Sequence, residues 1–209
     1  MPGKTIWHLT MSLDGFMADQ NDSNAWMSAA SAPPPRGDAI VPTIGAILAG
    51  RHTFDVGITV AERDGGRPYG GAYSGPVFVL THEAPETSPI PEVRFLTEAL
   101  DAALATARDA AGERNVVIFG ADLGQQCLDQ GELDEVLVHV APVFVGAGTP
   151  PYRSGGAAVV EFDVLESSSP GETPPYRSGG AAVVEFDVLE SSSPGELTTL
   201  RLRPRKEGP

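Results

Sequence analysis

The chain has 209 residues, 41% hydrophobic and 20% charged, which suits one globular domain with a full core and argues against disorder. A formal net charge of −14 excludes general nucleic-acid binding, which needs Lys and Arg to neutralise phosphates. No apolar run approaches the ~18 residues of a membrane span, and MPGKTIWHLTMSLDG lacks a signal-peptide core, so a cytoplasmic protein without membrane contacts is expected.

Thr5–Met11 is the first apolar run and reads as a buried strand that ends near the turn dipeptide Asp14-Gly15. Ser31–Asp38 is a loop, because Pro33, Pro34 and Pro35 forbid helix. Gly45–Ala49 is the second strand, and Thr53–Val56 starts a short helix. Arg63–Gly75 holds five glycines, Pro68 and two tyrosines, so it is a surface loop, either covering a site or tolerated as an insertion. Pro76–Thr81 is the third strand. Thr97 is a candidate N-cap for a helix with Leu96, Leu100, Ala103, Leu104 and Ala107 at helical spacing, ended by Gly112. Asn115–Phe119 is a strand, and Asp122–Gln130 is a helix closed by Gly131. Asp134–Val145 reads as a longer strand through Pro142, where the missing amide marks a bulge or an edge. Alternating strands and helices predict a mostly parallel α/β sheet covered on both faces.

Residues 149–172 read TPPYRSGGAAVVEFDVLESSSPGE, and residues 173–196 repeat those letters without change. Two perfect copies indicate a tandem duplication within a single domain over 1–209, not a solenoid, which needs about three units. Each copy carries one strand, AAVVEFDVLE, that can pair with a final strand over Leu197–Arg203. The second copy reaches it through the short SSSPGE turn, so the second copy is expected to dock as a C-terminal antiparallel hairpin, leaving the first as an extruded loop or an extra edge strand.

Cys127 is the only cysteine, which fits a reducing compartment; without a partner His in reach it reads as a small buried hydrophobe. His8, His52, His82 and His139 lack metal-ligand spacing, so no metal is expected. Asp134 and Glu135 read as solvated or salt-bridged surface groups.

Four segments in order carry a family resemblance: Met11-Ser12-Leu13-Asp14-Gly15-Phe16, Gly45 to Phe54 with its Gly-Arg-His-Thr, Pro76 to His82, and Val116 to Gln126 followed by Gly131–His139 and Pro142–Gly148. The chain resembles the dihydrofolate reductase family, in the branch of the reductase domain of bifunctional riboflavin-biosynthesis enzymes. Two departures stand out. Ala25–Pro42 is short and broken by prolines where the family carries a helix and its pterin-holding acid, and Ala121 replaces the second glycine of a pair.

The resemblance implies an NADPH-dependent reductase of a small pyrimidine- or pterin-like, or C=N/C=O-containing, substrate, and a homodimer. It places the cofactor at Gly50, Arg51 and Thr53, at Thr81 and His82, and at Gly120, Ala121, Asp122, Leu123, Gly124 and Gln125. Free N-terminal amides at the two strand-to-helix turns would cradle the pyrophosphate. The plainer alternative is a pair of ordinary turns, with Thr53 capping a helix and Asp122 as a first-turn acid. Asp14 is the catalytic candidate, placed to orient a heterocycle or relay a proton, although Asp-Gly is also a standard turn. Trp26 either stacks on the substrate or packs. A binding protein that keeps the fold without turnover is the rival reading.

Overall fold

A computed structural model describes residues 3–27, 40–61, 67–88, 90, 92–141, 143–153, 162–168 and 198–204. The chain builds β1 (Thr5–Ser12), β2 (Ala18–Asp19), β3 (Ile44–Gly50), α1 (Arg51–Ala61), β4 (Val77–Leu80) and β5 (Val93–Leu96). It continues with α2 (Leu100–Ala111), β6 (Asn115–Phe119), α3 (Ala121–Asp129), β7 (Glu135–Ala141), β8 (Gly148–Thr149), β9 (Phe162–Ser168) and β10 (Thr198–Pro204).

Eight strands form one sheet in the order β5-β4-β3-β6-β1-β7-β10-β9. The six from β5 to β7 run parallel, while β10 lies antiparallel to both β7 and β9. Parallel strands need crossovers, and the helices supply them and cover the faces. Alternation along each strand splits the core in two. Trp7, Leu9, Ala46, Leu48, Val116 and Ile118 pack with α2 and α3 through Leu100, Leu104, Leu123 and Cys127. Ile6, Ile44, Ile47 and Val117 point to the other face, under Ile40 and Tyr73. Leu104 is fully buried, and such a side chain contributes about 2 kcal/mol through removal from water.

The expected parallel α/β sheet and C-terminal hairpin are present, with several corrections. The strand Val93–Leu96 was not foreseen; it occupies the residues just before Thr97, so the helix starts at Leu100 after Ala99, and Thr97 does not cap it. The helix after Gly50 runs eleven residues, not four, which puts Thr53 inside its first turn. The strand expected over Asp134–Val145 ends at Ala141, and Pro142 lies outside the described residues. Glu135 is 2% exposed and belongs to the interior, held by Lys4 and by Arg201 at 2.6 Å. Burial opposes ionisation there, but the two cations outweigh it and hold the carboxyl low.

The docked strand of the duplication is the first copy, not the second. β9 is Phe162–Ser168 and pairs from Thr199↔Ser168 to Pro204↔Phe162. The reason lies upstream. Thr149 is already paired with Ala18, and the Gln125 amide exchanges two hydrogen bonds, each 3.0 Å, with the backbone of Arg153. The first copy therefore leaves an anchored point, whereas the closure advantage of the second grows only logarithmically with loop length. Residues 173–196 lie outside the described residues.

Candidate active site

Open parallel sheets bind ligands beyond the carboxyl ends of their strands. Here a cleft of about 1410 Å³ opens at those ends of β1, β3, β4, β6 and β7. It exceeds the ~300–1,000 Å³ of ordinary small-ligand pockets, leaving room for a dinucleotide and a second ring.

The register Ala49↔Phe119 between β3 and β6 brings two strand-to-helix turns side by side. Gly50 opens α1 and Gly120 opens α3, so two helix N-termini converge on one spot. Gly120 has φ +113°, closed to side chains, and a methyl on it would lie 2.6 Å from Thr53 Oγ1. No side chain caps α3, and its first intrahelical bond inside the turn runs from Gly124 N to Gly120 O. The amides of Ala121, Asp122 and Leu123 precede it, so their backbone donors are open to a ligand. Gly124 is glycine for another reason: a Cβ there would run into the Trp7 indole.

Around this spot the structure places the remaining candidates. Arg51 lines the cleft with Nε 2.9 Å from both Asp55 carboxylate oxygens. It also lies over the Phe95 ring. Thr81 Oγ1 donates to Glu83 O at 3.0 Å, and exposed His82 stands beside it in the lining. Leu123 is buried in the core. Gln125 does not line the cleft; its amide holds Arg153, whose guanidinium lies 3.9 Å from Asp122 Oδ1.

Asp14 and Trp26 are not brought to the cleft. The Asp14 carboxylate accepts from Ser12 Oγ at 2.6 Å, Val145 N at 3.1 Å and Gly146 N at 2.7 Å, tying the loop after β1 to the loop after β7. The Ser12 hydroxyl above all, with those two amides, holds its pKa below the ordinary 3.8 against opposing desolvation. The Trp26 indole N–H has no partner among the described residues, although Asn24 and Met27 on either side line the cleft. Cys127 is buried, and that burial, with Glu132 nearby, raises its thiol to about 12, so it stays protonated. Among the described residues no group of three or more His, Cys, Asp or Glu is placed to share a metal ion.

The site also contains residues that the sequence reading passed over. His8, Tyr69, Phe119 and His139 line the other half of the cleft, and Thr149 and Arg153 close its rim from the first repeat copy. The available signal was a histidine inside each of two apolar strand runs, IWHLT and LVHVA, whose role the histidine spacing test for metals could not reveal.

Residues 71–173 match the family model of the RibD C-terminal domain. The fold is similar to a protein assigned to riboflavin biosynthesis from Shewanella sp. PV-4, with TM-score 0.70, 22% identity, and coverage of 97% of this chain and 99% of that one. It is similar to a diaminohydroxyphosphoribosylaminopyrimidine deaminase/5-amino-6-(5-phosphoribosylamino)uracil reductase from Thermotoga maritima, with TM-score 0.58 and 14% identity over 98% of this chain and 57% of that one. It is also similar to the dihydrofolate reductase from Enterococcus faecalis complexed with NADP(H) and RAB-propyl, with TM-score 0.57 and 13% identity over 99% of both chains. The sheet order, the cleft at the strand ends and these likenesses define a dihydrofolate-reductase-like fold. Just under half of the chain, residues 71–173, carries the likeness to the RibD C-terminal domain within that fold. No described helix is long and apolar enough to cross a membrane.

Proposed function

We propose that the protein is an NADPH-dependent reductase of a small heterocyclic, pyrimidine- or pterin-like, or C=N/C=O-containing substrate. The observation that carries this reading is the convergence of the N-termini of α1 and α3 on Gly50, Thr53 and Gly120 within one long cleft. The residues fit the cofactor: Gly120 leaves unfilled the space that a Cβ would take, and the amides that no side chain caps would meet an anion there. The amides of Ala121, Asp122 and Leu123, with Thr53, would hold the pyrophosphate. Arg51, Thr81 and His82 would hold the 2′-phosphate side, and Arg153 would add a second cation at α3. These local donors overcome the field of a chain carrying −14. When bound, NADPH supplies the hydride; the chain orients it, excludes water and moves the proton. Gln125 acts through Arg153, and Asp14 through the loops it ties together.

The test is a titration of the full chain with NADPH and with NADH, following tryptophan fluorescence and melting temperature. Trp7 packs against Gly124 beside the cradle and reports on it. Saturable binding at least about tenfold tighter for NADPH is expected, the margin of one charge-assisted contact. No binding of either nucleotide to a cooperatively melting chain overturns the reading. The rival, a dinucleotide-binding protein without turnover, is favoured by one observation: Asp14 is held within the loops instead of at the cleft. Bound NADPH that no substrate oxidises would select it. A homodimer through the C-terminal strands fits β9 as the last strand of its sheet, and light scattering tests it.

A further inference from the structure

The half of the cleft away from the helix N-termini is built by four rings from four separate parts of the chain: His8 on β1, Phe119 on β6, His139 on β7 and Tyr69 from the glycine-rich loop. His8 Nδ1 lies 2.7 Å from the Tyr69 hydroxyl, with the two rings stacked at 5.6 Å and 29°. His139 meets His8 edge-on at 4.8 Å, and its own Nδ1 lies 2.8 Å from Thr199 Oγ1. Phe119 lies 6.1 Å from His8 and 5.7 Å from Tyr69.

Tyr69 reaches this position with φ 56° and ψ 37°, a left-handed conformation that costs a bulky L-residue roughly 1 kcal/mol or more. The loop is pinned for the purpose. Buried Tyr73 places its hydroxyl 3.1 Å from both Gly45 O and Pro76 O. The strained residue stands at the wall of the cleft and sets one hydroxyl against one imidazole.

We infer, resting on the reductase reading above, that Tyr69 and His8 form the pair that meets the substrate's reducible C=N or C=O and supplies its proton, with His139 and Phe119 as walls. Reduction of such a bond by hydride leaves an electron pair on nitrogen or oxygen, which takes the phenol proton of Tyr69. Tyr69 recovers a proton from His8 Nδ1, and His8 Nε2 takes one from water. Two electrons pass to the substrate from a reduced nicotinamide, and one proton is drawn from solvent. Among the described residues the groups packed on His8 are the Tyr69 phenol, the His139 imidazole and the Phe119 ring. Burial, and then the neighbouring His139, lower its pKa to about 3, so His8 works as a neutral imidazole exchanging protons between its two nitrogens. Such a floor suits an uncharged ring with donor and acceptor edges, not a cation that requires a carboxylate.

The test is nitrogen-15 NMR on the full chain labelled at histidine and saturated with NADP⁺, with millimolar uracil as a neutral probe ring. The expected result has His8 Nδ1 carrying the proton, and uracil shifting the His8 and His139 signals. Y69F should weaken that uracil response about tenfold, the worth of one hydrogen bond, and change NADP⁺ affinity less than about twofold. An unprotonated Nδ1 in the free chain overturns the inference, because the phenol hydrogen would then be committed to His8; this readout needs no variant to fold. Uracil shifts that persist unchanged in Y69F overturn it as well, as does a His8 signal that ignores uracil while NADP⁺ binds. Failure of the unmodified chain to bind NADP⁺ overturns instead the reductase reading on which the pair rests.

Discussion

The two halves of the cleft are built in different ways. The cradle is assembled from two short continuous segments, Gly50-Arg51-His52-Thr53 and Gly120 to Gly124, each a strand end running into a helix start. The ring-lined half takes single residues from positions 8, 69, 119 and 139. Anion binding at a helix N-terminus relies on backbone amides, which any small-residue turn supplies within a few residues of sequence. Recognition of a ring relies on side chains converging from several strands, and no local spacing encodes that. Changes in the cradle should therefore act through backbone shape, and changes in the ring-lined half through individual side-chain groups.

The sharpest break of that contrast comes from two glycines four residues apart. Gly120→Ala introduces a Cβ at φ +113° and 2.6 Å from Thr53 Oγ1. It should lower NADPH affinity at least a hundredfold by titration and cost about 1–3 kcal/mol of stability. Gly124→Ala instead presses on the buried Trp7 indole. It should cost a similar 1–3 kcal/mol by denaturant melt and shift Trp7 emission, with a much smaller loss of affinity once folded. Equal affinity losses in the two variants would place Gly124 at the ligand and contradict the division.

The repeat offers a second test, since Arg153 and Arg177 occupy equivalent places in identical segments. The first is clamped by Gln125. R153A should weaken NADPH binding about tenfold and R177A should leave it unchanged. Equal losses would mean that the two copies share the slot. Deleting residues 149–172 or 173–196 gives one and the same 24-residue-shorter sequence, TPPYRSGGAAVVEFDVLESSSPGE followed by LTTL. That chain should keep the β9–β10 pairing and gain about 1–2 kcal/mol from the shorter closure between Ser168 and Thr198. A lower midpoint in urea would show that the extra copy contributes contacts of its own.

The last effect is confined to acid pH. His8 has a folded pKa of about 3 against 6.5 unfolded, so the unfolded chain binds its proton more readily. Its contribution to stability is complete above pH 6.5 and is lost as pH falls from there towards 3. Asp14, held below its ordinary 3.8, contributes above that value, and its share is lost as pH falls through its folded pKa. Melting temperature against pH should therefore flatten between 6.5 and 3 in H8Q, and change only at the acid end in D14N. An H8Q profile parallel to that of the unmodified chain would show His8 to be solvated.

By itself the sequence determined the parallel sheet, the two strand-to-helix turns and the family they resemble. Those features rest on local periods and small-residue turns, which depend little on distant partners. It also named Asp14 from a motif, but only the tertiary structure showed that carboxylate occupied by Val145 and Gly146. Tertiary structure alone distinguished two identical repeat copies, because the anchors at Ala18 and Gln125 stand outside the repeat. It alone buried Glu135 between two cations and gathered His8, Tyr69 and His139. Where a residue's role depends on who stands opposite it across the sheet, strand order decides, and strand order follows from the packing of both faces of the sheet at once.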